Sequence, residues 1–254
     1  MASDARRTRD EAFMRLALDE ARKGSPSPNP HVGALIVHPE SDAVLGRGFH
    51  PRAGEEHAEA MALRQAGDSA RGATLYVTLE PCNHHGRTPP CTDAVLGAGI
   101  ARVVVGMRDP NPTVAGGGNA RLRSSGVDVT EDVLAEACTR FLRPWTKHVT
   151  SRRPYVRLKL ASSLDGRIAA APHASRPDAP RGVSRWITGS EARRRVHELR
   201  AQVDAVAVGI ETALADDPEL LPRDATPIDG RDPPMRIVFD STLRLPLRSR
   251  LVQT

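Results

Sequence analysis

Two cysteines and an upstream histidine constrain this chain of 254 residues more than any other feature of its sequence. The histidine, His57, lies two residues before Glu59, and the cysteines are Cys82 and Cys91. One imidazole and two thiols form the ligand set of a catalytic zinc, which keeps three protein ligands and leaves its fourth position to water. We therefore expect His57, Cys82 and Cys91 to converge on one Zn²⁺ ion.

Glu59 supplies a carboxyl group that need not touch the metal. Since His57 opens a predicted helix, Glu59 falls in its first turn, where it can reach a water held by the ion. Cys91 opens the next short helix, whose N-terminal partial charge favours the thiolate. A bound zinc lowers the pKa of its water, and Glu59 can accept the proton and pass it to a leaving group. Glu59 is thus the predicted catalytic residue.

Other interpretations of the same residues remain open at this point. Cys82 and Cys91 could be core thiols, and His57 a helix-capping surface residue, but neither explains why Glu59 accompanies them. A purely structural zinc needs a fourth protein ligand, which His84 or His85 could supply.

Strands and helices alternate along the chain, which predicts an α/β layer architecture. The predicted ligands fall at strand ends and helix starts, where open α/β sheets place their sites. A Pro- and Arg-rich stretch at 171–181 predicts a mobile loop, and Gly116 to Gly118 predict a flexible connection. Helices are predicted over 10–23, 57–66, 92–97, 131–142 and 191–200, and strands over 32–37, 44–49, 74–78, 103–106, 155–160, 203–208 and 236–239.

Composition and charge limit the class of protein. No apolar run approaches the roughly 20 residues of a membrane span, and the N-terminus lacks the apolar stretch of a secretory signal. Few cysteines favour a reducing compartment, so we expect a cytoplasmic protein without a membrane partner, with Cys138 in its core. The net charge of +5 is carried mostly by arginine. It fits either a solvated surface or attraction for phosphorylated small molecules or nucleic acid.

Residues 10–145 resemble the deaminase half of the bifunctional riboflavin-biosynthesis deaminase–reductase family. Eight residues separate Cys82 from Cys91, where the general zinc-deaminase signature has two. The resemblance implies a cytidine-deaminase-like α/β/α sandwich over residues 1–148 that removes a ring amino group from a phosphorylated ribosylaminopyrimidine. It also implies substrate contacts from Asn29, His50, His84 and Arg87. The segments that carry it are 27–33, 48–50, 57–59, 79–91 and 108–112.

Residues 149–254 are similar to the start of the same family's reductase domain, an α/β domain that resembles dihydrofolate reductase. The similar segments are 154–166, 184–189, 196–208, 212 and 216–218. The resemblance implies NADPH-dependent reduction of the ribosyl group to a ribityl chain. It assigns NADPH contacts to Trp186, Thr212, Asp216 and Ser241, and contacts with the phosphorylated substrate to Ser184, Arg200, Leu220 and Arg223.

Two departures from the family pattern affect the second domain. The stretch 171–181 is longer and richer in proline than the family's loop, and the chain stops at Thr254, before the family's glycine-rich phosphate-binding stretch. We therefore expect a partial reductase domain, weak or absent NADPH-dependent reduction, and a tendency to form homo-oligomers.

Two other functions are compatible with the sequence. A zinc deaminase acting on nucleic acid would use the basic charge, although the long cysteine spacing favours a small phosphorylated pyrimidine and no nucleic-acid partner. A catalytically silent zinc-stabilised module would use the same ligands without needing Glu59.

Overall fold

Alternating strands and helices build two units, and most contacts lie within one unit. Unit 1 is Met1–Tyr155 and unit 2 is Val156–Thr254. The computed structural model describes residues 2–86, 88–112, 117–168, 187–223 and 231–254. None of the helices in these ranges combines the length and the apolarity needed to cross a membrane.

Unit 1 is built on a five-stranded mixed sheet with the order β2-β1-β3-β4-β5. β1 is antiparallel to both β2 and β3, whereas β3, β4 and β5 run parallel. The strands are β1 (Gly33–Val37), β2 (Val44–Phe49), β3 (Thr74–Val77), β4 (Arg102–Val105) and β5 (Asp128–Thr130). The helices are α1 (Ala2–Ala21), α2 (Ala58–Ala66), α3 (Cys91–Gly97), α4 (Gly118–Ser124) and α5 (Ala135–Ser151), with one 3-10 turn at Gly67–Ala70.

Helix α2 packs directly on one face of the sheet. A Cβ atom at Gly48 of β2 would lie 2.0 Å from the backbone oxygen of Ala58, so only glycine allows this approach. Gly48 pairs with Ala34 of β1, and the two residues therefore share the face that α2 covers. This contact holds the start of α2, and with it His57, against the sheet.

Helix α1 covers the opposite face of the sheet, and a buried polar network joins the helix to two strands. Tyr76 pairs with Leu35, the neighbour of Ala34, so its side chain points away from α2. Its hydroxyl donates to Asp10 of α1 at 2.9 Å. Both ends of the Arg102 guanidinium also donate to Asp10, at 2.8 and 2.7 Å. Burial alone would raise the pKa of Asp10, but the hydrogen bonds and positive charge of Arg102 lower it.

Unit 2 contains two parallel strands, β6 (Ala205–Gly209) and β7 (Met235–Phe239). The helices are α6 (Ser190–Ala201), α7 (Ile210–Asp216) and α8 (Arg250–Gln253). Its buried apolar cluster, within the described residues, consists of Ile210, Ala213, Leu220 and Leu251. Large apolar side chains of the same unit are exposed, among them Val156, Leu158, Leu160, Leu164, Phe239, Leu243 and Leu247.

Arginine side chains on both units commonly face carboxylates. Arg6 pairs with Asp128 in unit 1, and Arg195 pairs with Glu198 in unit 2. Such exposed pairs contribute little to stability, but they neutralise charge locally. The basic composition is therefore partly balanced at the surface.

Most of the predicted elements are confirmed within one or two residues, including the predicted hairpin of β1 and β2 and the buried Cys138. The α/β class is confirmed as well. Helix α1 begins eight residues before its predicted start at Asp10. The stretch 171–181 and Gly116 lie outside the described residues.

Three local predictions are wrong. The segment 155–160 forms no strand, because no neighbouring segment pairs with it among the described residues. The helix predicted from Glu131 begins at Ala135, because the backbone at Asp132 and Leu134 is left-handed, with φ of 63° and 55°. Gly118, predicted to be part of a flexible connection, begins α4.

We predict that Asp10→Asn destabilises the protein at neutral pH by about 3 kcal/mol, because it removes the buried partner of Arg102 and leaves only the exposed Asp128 carboxylate, 3.4 Å away. The native pKa of Asp10 is lowered, so its contribution is fully present above the ordinary aspartate pKa of about 3.9 and is lost as pH falls through the lowered value. The difference between wild type and variant should therefore shrink in acid.

Urea unfolding followed by circular dichroism at several pH values tests this. Asp19→Asn is the matched control, since Asp19 lies on the same helix in an exposed pair with Arg22. Equal stability of the Asp10→Asn variant and wild type at neutral pH would contradict the prediction.

Candidate metal centre

Three segments of unit 1 bring their predicted metal ligands together. His57 is the residue that precedes the first turn of α2, Cys82 lies five residues beyond the end of β3, and Cys91 is the first residue of α3. One donor atom from each lies within 4.8 Å of the other two. Among the described residues, no other His, Cys, Asp or Glu belongs to this group or to a second one.

The donor distances are close to those of a tetrahedral zinc site. His57 Nδ1 lies 3.2 Å from Cys91 Sγ and 3.5 Å from Cys82 Sγ. Zinc bonds of about 2.05 Å to nitrogen and 2.3 Å to sulfur place two such donors roughly 3.6 Å apart at tetrahedral angles. A soft, three-donor set of one imidazole and two sulfurs therefore fits Zn²⁺ and leaves one coordination position for another group.

Thr88 defines the orientation of the His57 ring. Because Nδ1 faces the two sulfurs, Nε2 is left to donate to the Thr88 hydroxyl, 3.4 Å away. A hydrogen bond on the second ring nitrogen fixes the tautomer and the ring plane of a metal-binding histidine. Sequence analysis did not identify Thr88, and its only signal was a hydroxyl side chain three residues before Cys91.

The Cys82 and Cys91 side chains are hydrogen-bonded to each other. Hydrogen bonding from the Cys91 thiol lowers the pKa of Cys82, with further help from His57, while the same interaction and burial raise the pKa of Cys91. The Cys91 backbone N–H also donates to Cys82 Sγ at 3.3 Å. Cys82 is thus prepared as a thiolate, the form in which cysteine binds metals.

Glu59 is a buried carboxyl group beside the sulfurs, with 4% of its surface exposed. Burial, followed by the negative charge of Cys82, raises the pKa of Glu59 to about 7. A carboxyl group with this pKa can both accept and release a proton near neutral pH. Its place in the first turn of α2 agrees with the geometry expected of the catalytic residue.

Asn29 and His50, two predicted substrate contacts, lie next to His57. The His50 and His57 rings are 5.0 Å apart between centroids. Burial lowers the pKa of His50, so its neutral ring donates from Nδ1 to the Glu56 carbonyl at 3.0 Å. His50 Nε2 then accepts a hydrogen bond from the Asn29 amide at 3.1 Å. These contacts fix the Asn29 side chain in one orientation.

The remaining predicted residues of this site lie in the cysteine loop. His84 is exposed and close enough to Asp109 to lower the pKa of that carboxyl, although burial is the larger influence and raises it. Arg87 lies outside the described residues. His85 is exposed as well, and neither histidine joins the three metal donors.

Glu80 connects the segment before Cys82 to two loops, a role that sequence analysis missed. Its buried carboxylate accepts the backbone N–H groups of Asp109 and Asn119, each at 3.1 Å. These residues help to line a cavity of about 390 Å³, together with Arg108, Asn111 and Glu131. Glu80 thus holds two loops that are 29 and 39 residues away along the chain, and no local sequence pattern indicates such contacts.

The predicted reductase residues of unit 2 fall into two groups. Thr212 and Asp216 lie on α7, directly after β6, and Ser241 follows β7, so all three are beyond the carboxyl ends of parallel strands. Such strand ends are where α/β sheets bind ligands. Ser184 and Trp186 lie outside the described residues.

Arg200 and Arg223 form the second group. Burial and the nearby positive charge of Arg223 lower the pKa of Arg200. The Arg223 backbone N–H donates to His197 Nδ1 at 2.9 Å, and its guanidinium lies 3.8 Å from Glu219. The Leu220 side chain is buried in the apolar cluster. Glu219 therefore partly balances the positive charge of Arg223.

Two family models match this chain, one on each unit. Residues 7–107 match the cytidine and deoxycytidylate deaminase zinc-binding region, and residues 154–254 match the RibD C-terminal domain. Both domain types, and their order, are those expected from the sequence. The first match contains His57, Cys82 and Cys91 and names the metal that their geometry fits.

Curated relatives resemble this chain over nearly its whole length. The riboflavin biosynthesis protein RibD of Aquifex aeolicus is 44% identical over 247 residues, which are 96% of this chain and 65% of that protein. The chain spans 62% to 66% of the length of the first curated relatives.

Two solved structures extend the likeness to the fold. Acinetobacter baumannii RibD is 43% identical with a TM-score of 0.83, over 98% of this chain and 68% of that one. A Thermotoga maritima diaminohydroxyphosphoribosylaminopyrimidine deaminase/5-amino-6-(5-phosphoribosylamino)uracil reductase is 42% identical with a TM-score of 0.83, over 97% of this chain and 67% of that one. A shared fold at this identity, together with both family models, shows that the chain belongs to the RibD family of riboflavin biosynthesis proteins.

Proposed function

We propose that this chain catalyses a zinc-dependent hydrolytic deamination in riboflavin biosynthesis. The proposed reaction converts 2,5-diamino-6-(5-phosphoribosylamino)pyrimidin-4(3H)-one to 5-amino-6-(5-phosphoribosylamino)uracil with release of ammonia. The observation that carries the proposal is the three-donor group His57, Cys82 and Cys91 with the buried Glu59 beside it. The name of the Thermotoga relative supports the choice of substrate.

Glu59 has the chemistry that the proposed reaction requires of the protein. When bound, zinc supplies a Lewis acid that lowers the pKa of a coordinated water towards neutrality. A carboxyl oxygen of Glu59, whose pKa is raised to about 7, takes up the proton and delivers it to the departing amine. Because Glu59 is buried, this proton is not exchanged freely with bulk water.

Asn29 is proposed to bind the pyrimidine ring so that its amino group lies next to Glu59. An amide presents both a donor and an acceptor, which suits the polar edge of a pyrimidine. The neutral His50 fixes that amide, and His50 is itself fixed by the Glu56 carbonyl. His84 and Arg87 are proposed to contact the substrate from the cysteine loop, with Arg87 suited to a phosphate or ribose oxygen.

We further propose that residues 149–254 contribute the reductase half of the family's chemistry, after a deaminase over residues 1–148. Thr212, Asp216 and Ser241, together with Ser184, Trp186, Leu220, Arg200 and Arg223, are the proposed contacts with NADPH and the phosphorylated substrate. Arg200 and Arg223 are suited to a phosphate-binding role, because a guanidinium can donate two hydrogen bonds to one phosphate group. Free cysteines support a cytoplasmic, reducing location, and the exposed apolar side chains of unit 2 support a homo-oligomer.

Glu59→Gln should lower ammonia release by about 10²- to 10⁴-fold, the usual contribution of a general acid–base group. Zinc should remain bound, since Glu59 is not one of the three donors. Purified protein assayed for ammonia and for zinc content tests both statements. Glu136→Gln, an exposed glutamate on α5, is the control.

Three results would count against the deaminase. Wild type that releases no ammonia from the diaminopyrimidine ribotide, or that keeps full activity after zinc is removed by a chelator, contradicts the proposed function. Full turnover by Glu59→Gln contradicts the assignment of the proton carrier. Tight, steeply salt-dependent binding of nucleic acid with deamination of it would favour the nucleic-acid alternative.

Asn29→Ala should reduce kcat/KM for deamination by roughly 10- to 100-fold, because a buried hydrogen-bonding edge of the substrate loses its partner. Zinc content should not change, because Asn29 contacts His50 and not the metal donors. Steady-state kinetics with a parallel zinc determination checks this. An unchanged kcat/KM would exclude Asn29 from the substrate contacts.

Arg200→Ala should slow NADPH consumption and leave ammonia release unchanged, because Arg200 lies in unit 2 whereas the metal donors lie in unit 1. Following NADPH consumption and ammonia release separately with the same enzyme tests this. An Arg200→Ala variant with wild-type reduction would contradict the proposed role of Arg200.

A further inference from the structure

The two cysteine ligands lie on different segments, and two backbone N–H groups of α3 bond to Cys82. The Cys91 N–H donates to Cys82 Sγ, and the Thr92 N–H donates to the Cys82 carbonyl at 3.2 Å. Side chains add a third link, because the Thr92 hydroxyl donates to Asn83 Oδ1 at 3.0 Å. The residues that follow the two ligands, Asn83 and Thr92, are therefore in direct contact.

Arg121 of α4 bonds to both Asn83 and Thr92. Its Nη1 donates to Asn83 Oδ1 at 2.9 Å and to the Thr92 hydroxyl oxygen at 3.2 Å. Its Nη2 forms an ion pair with Asp93, the next residue of α3. One planar guanidinium thus spans the segment after Cys82 and the first turn after Cys91.

Helix α4 is itself held close to the cysteine segment. A Cβ atom at Gly118 would lie 2.0 Å from the backbone oxygen of Pro81, so the start of α4 rests directly on the residue before Cys82. This close packing places Arg121, one turn along α4, beside Asn83. The helix that carries Arg121 cannot move independently of the ligand segment.

The contacts of Arg121 differ in their expected strength. Its pair with Asp93 is about 40% exposed on both sides and contributes little. Thr92, by contrast, is fully buried, and a charge-assisted hydrogen bond in that setting is strong and directional. The important contribution of Arg121 is therefore the fixed geometry of Asn83 and Thr92.

We propose that Arg121 is a positioning residue that sets the separation of the two cysteine sulfurs and thereby the metal affinity of the site. Two sulfurs on a tetrahedral zinc lie roughly 3.8 Å apart. Holding Asn83 against Thr92 keeps the preceding residues near that separation before any ion binds. This inference rests on the zinc site of the proposed function, but it adds a residue that touches neither metal nor substrate.

Zinc affinity of the full, chelator-stripped chain tests this, measured by competition with a chromophoric chelator. Arg121→Ala should bind zinc about 10- to 100-fold more weakly, the usual cost of losing support around metal ligands. Its cobalt complex should show altered thiolate-to-metal absorption. Arg121→Lys should recover at most part of the affinity, because an ammonium cannot bridge two acceptors as a guanidinium does. Arg140→Ala, which removes an exposed arginine of α5, is the matched control.

Equal zinc affinity and an unchanged cobalt spectrum in folded Arg121→Ala would overturn the proposal. If Arg121→Ala fails to fold by circular dichroism, Thr92→Val decides: it removes the shared hydroxyl, and weaker zinc binding supports the proposal whereas wild-type affinity overturns it. A wild-type chain that binds no zinc contradicts the proposed function itself. Wild-type binding with an unaffected Arg121→Ala contradicts only the positioning role.

Discussion

The convergence of one nitrogen and two sulfurs on a single point is the constraint on which the rest of unit 1 depends. The three donors come from the start of α2, the loop after β3 and the start of α3, so each element must be placed to within a fraction of the donor spacing. The sheet achieves this because β3 is buried between β1 and β4, and α2 rests on β2 without an intervening side chain at Gly48. The packing of the core therefore determines the geometry of the metal donors.

Burial around the metal donors also prepares the proton chemistry. The same exclusion of water raises the pKa of Glu59 to about 7 and lowers the pKa of His50. Burial favours the neutral form of both groups, because it disfavours the negative charge of a carboxylate and the positive charge of an imidazolium alike. Glu59 can therefore both accept and release a proton near neutral pH, and the neutral His50 has an acceptor nitrogen with which to orient Asn29.

Local patterns predicted the donors and most of the elements, whereas long-range contacts escaped prediction. His57, Cys82 and Cys91 were found because their spacing is distinctive and each adjoins a clear strand or helix. Thr88 and Glu80 were missed because their roles depend on His57 and on Asp109, which are 31 and 29 residues away. Residues 155–160 have the composition of a strand, but no described strand pairs with them. The pattern of a single segment cannot show whether a neighbouring strand is present.

The unusual length of the cysteine loop explains why such contacts are needed. Where two residues separate the cysteines, the short loop itself restricts the sulfurs; here eight residues separate them. Two doublings of loop length cost about 1 kcal/mol of additional closure entropy, and they remove the steric restriction of a short connection. The restriction must then come from the rest of the protein. The bonds that join Asn83, the first residue of the loop, to Thr92 and Arg121, which both lie beyond it, supply this restriction.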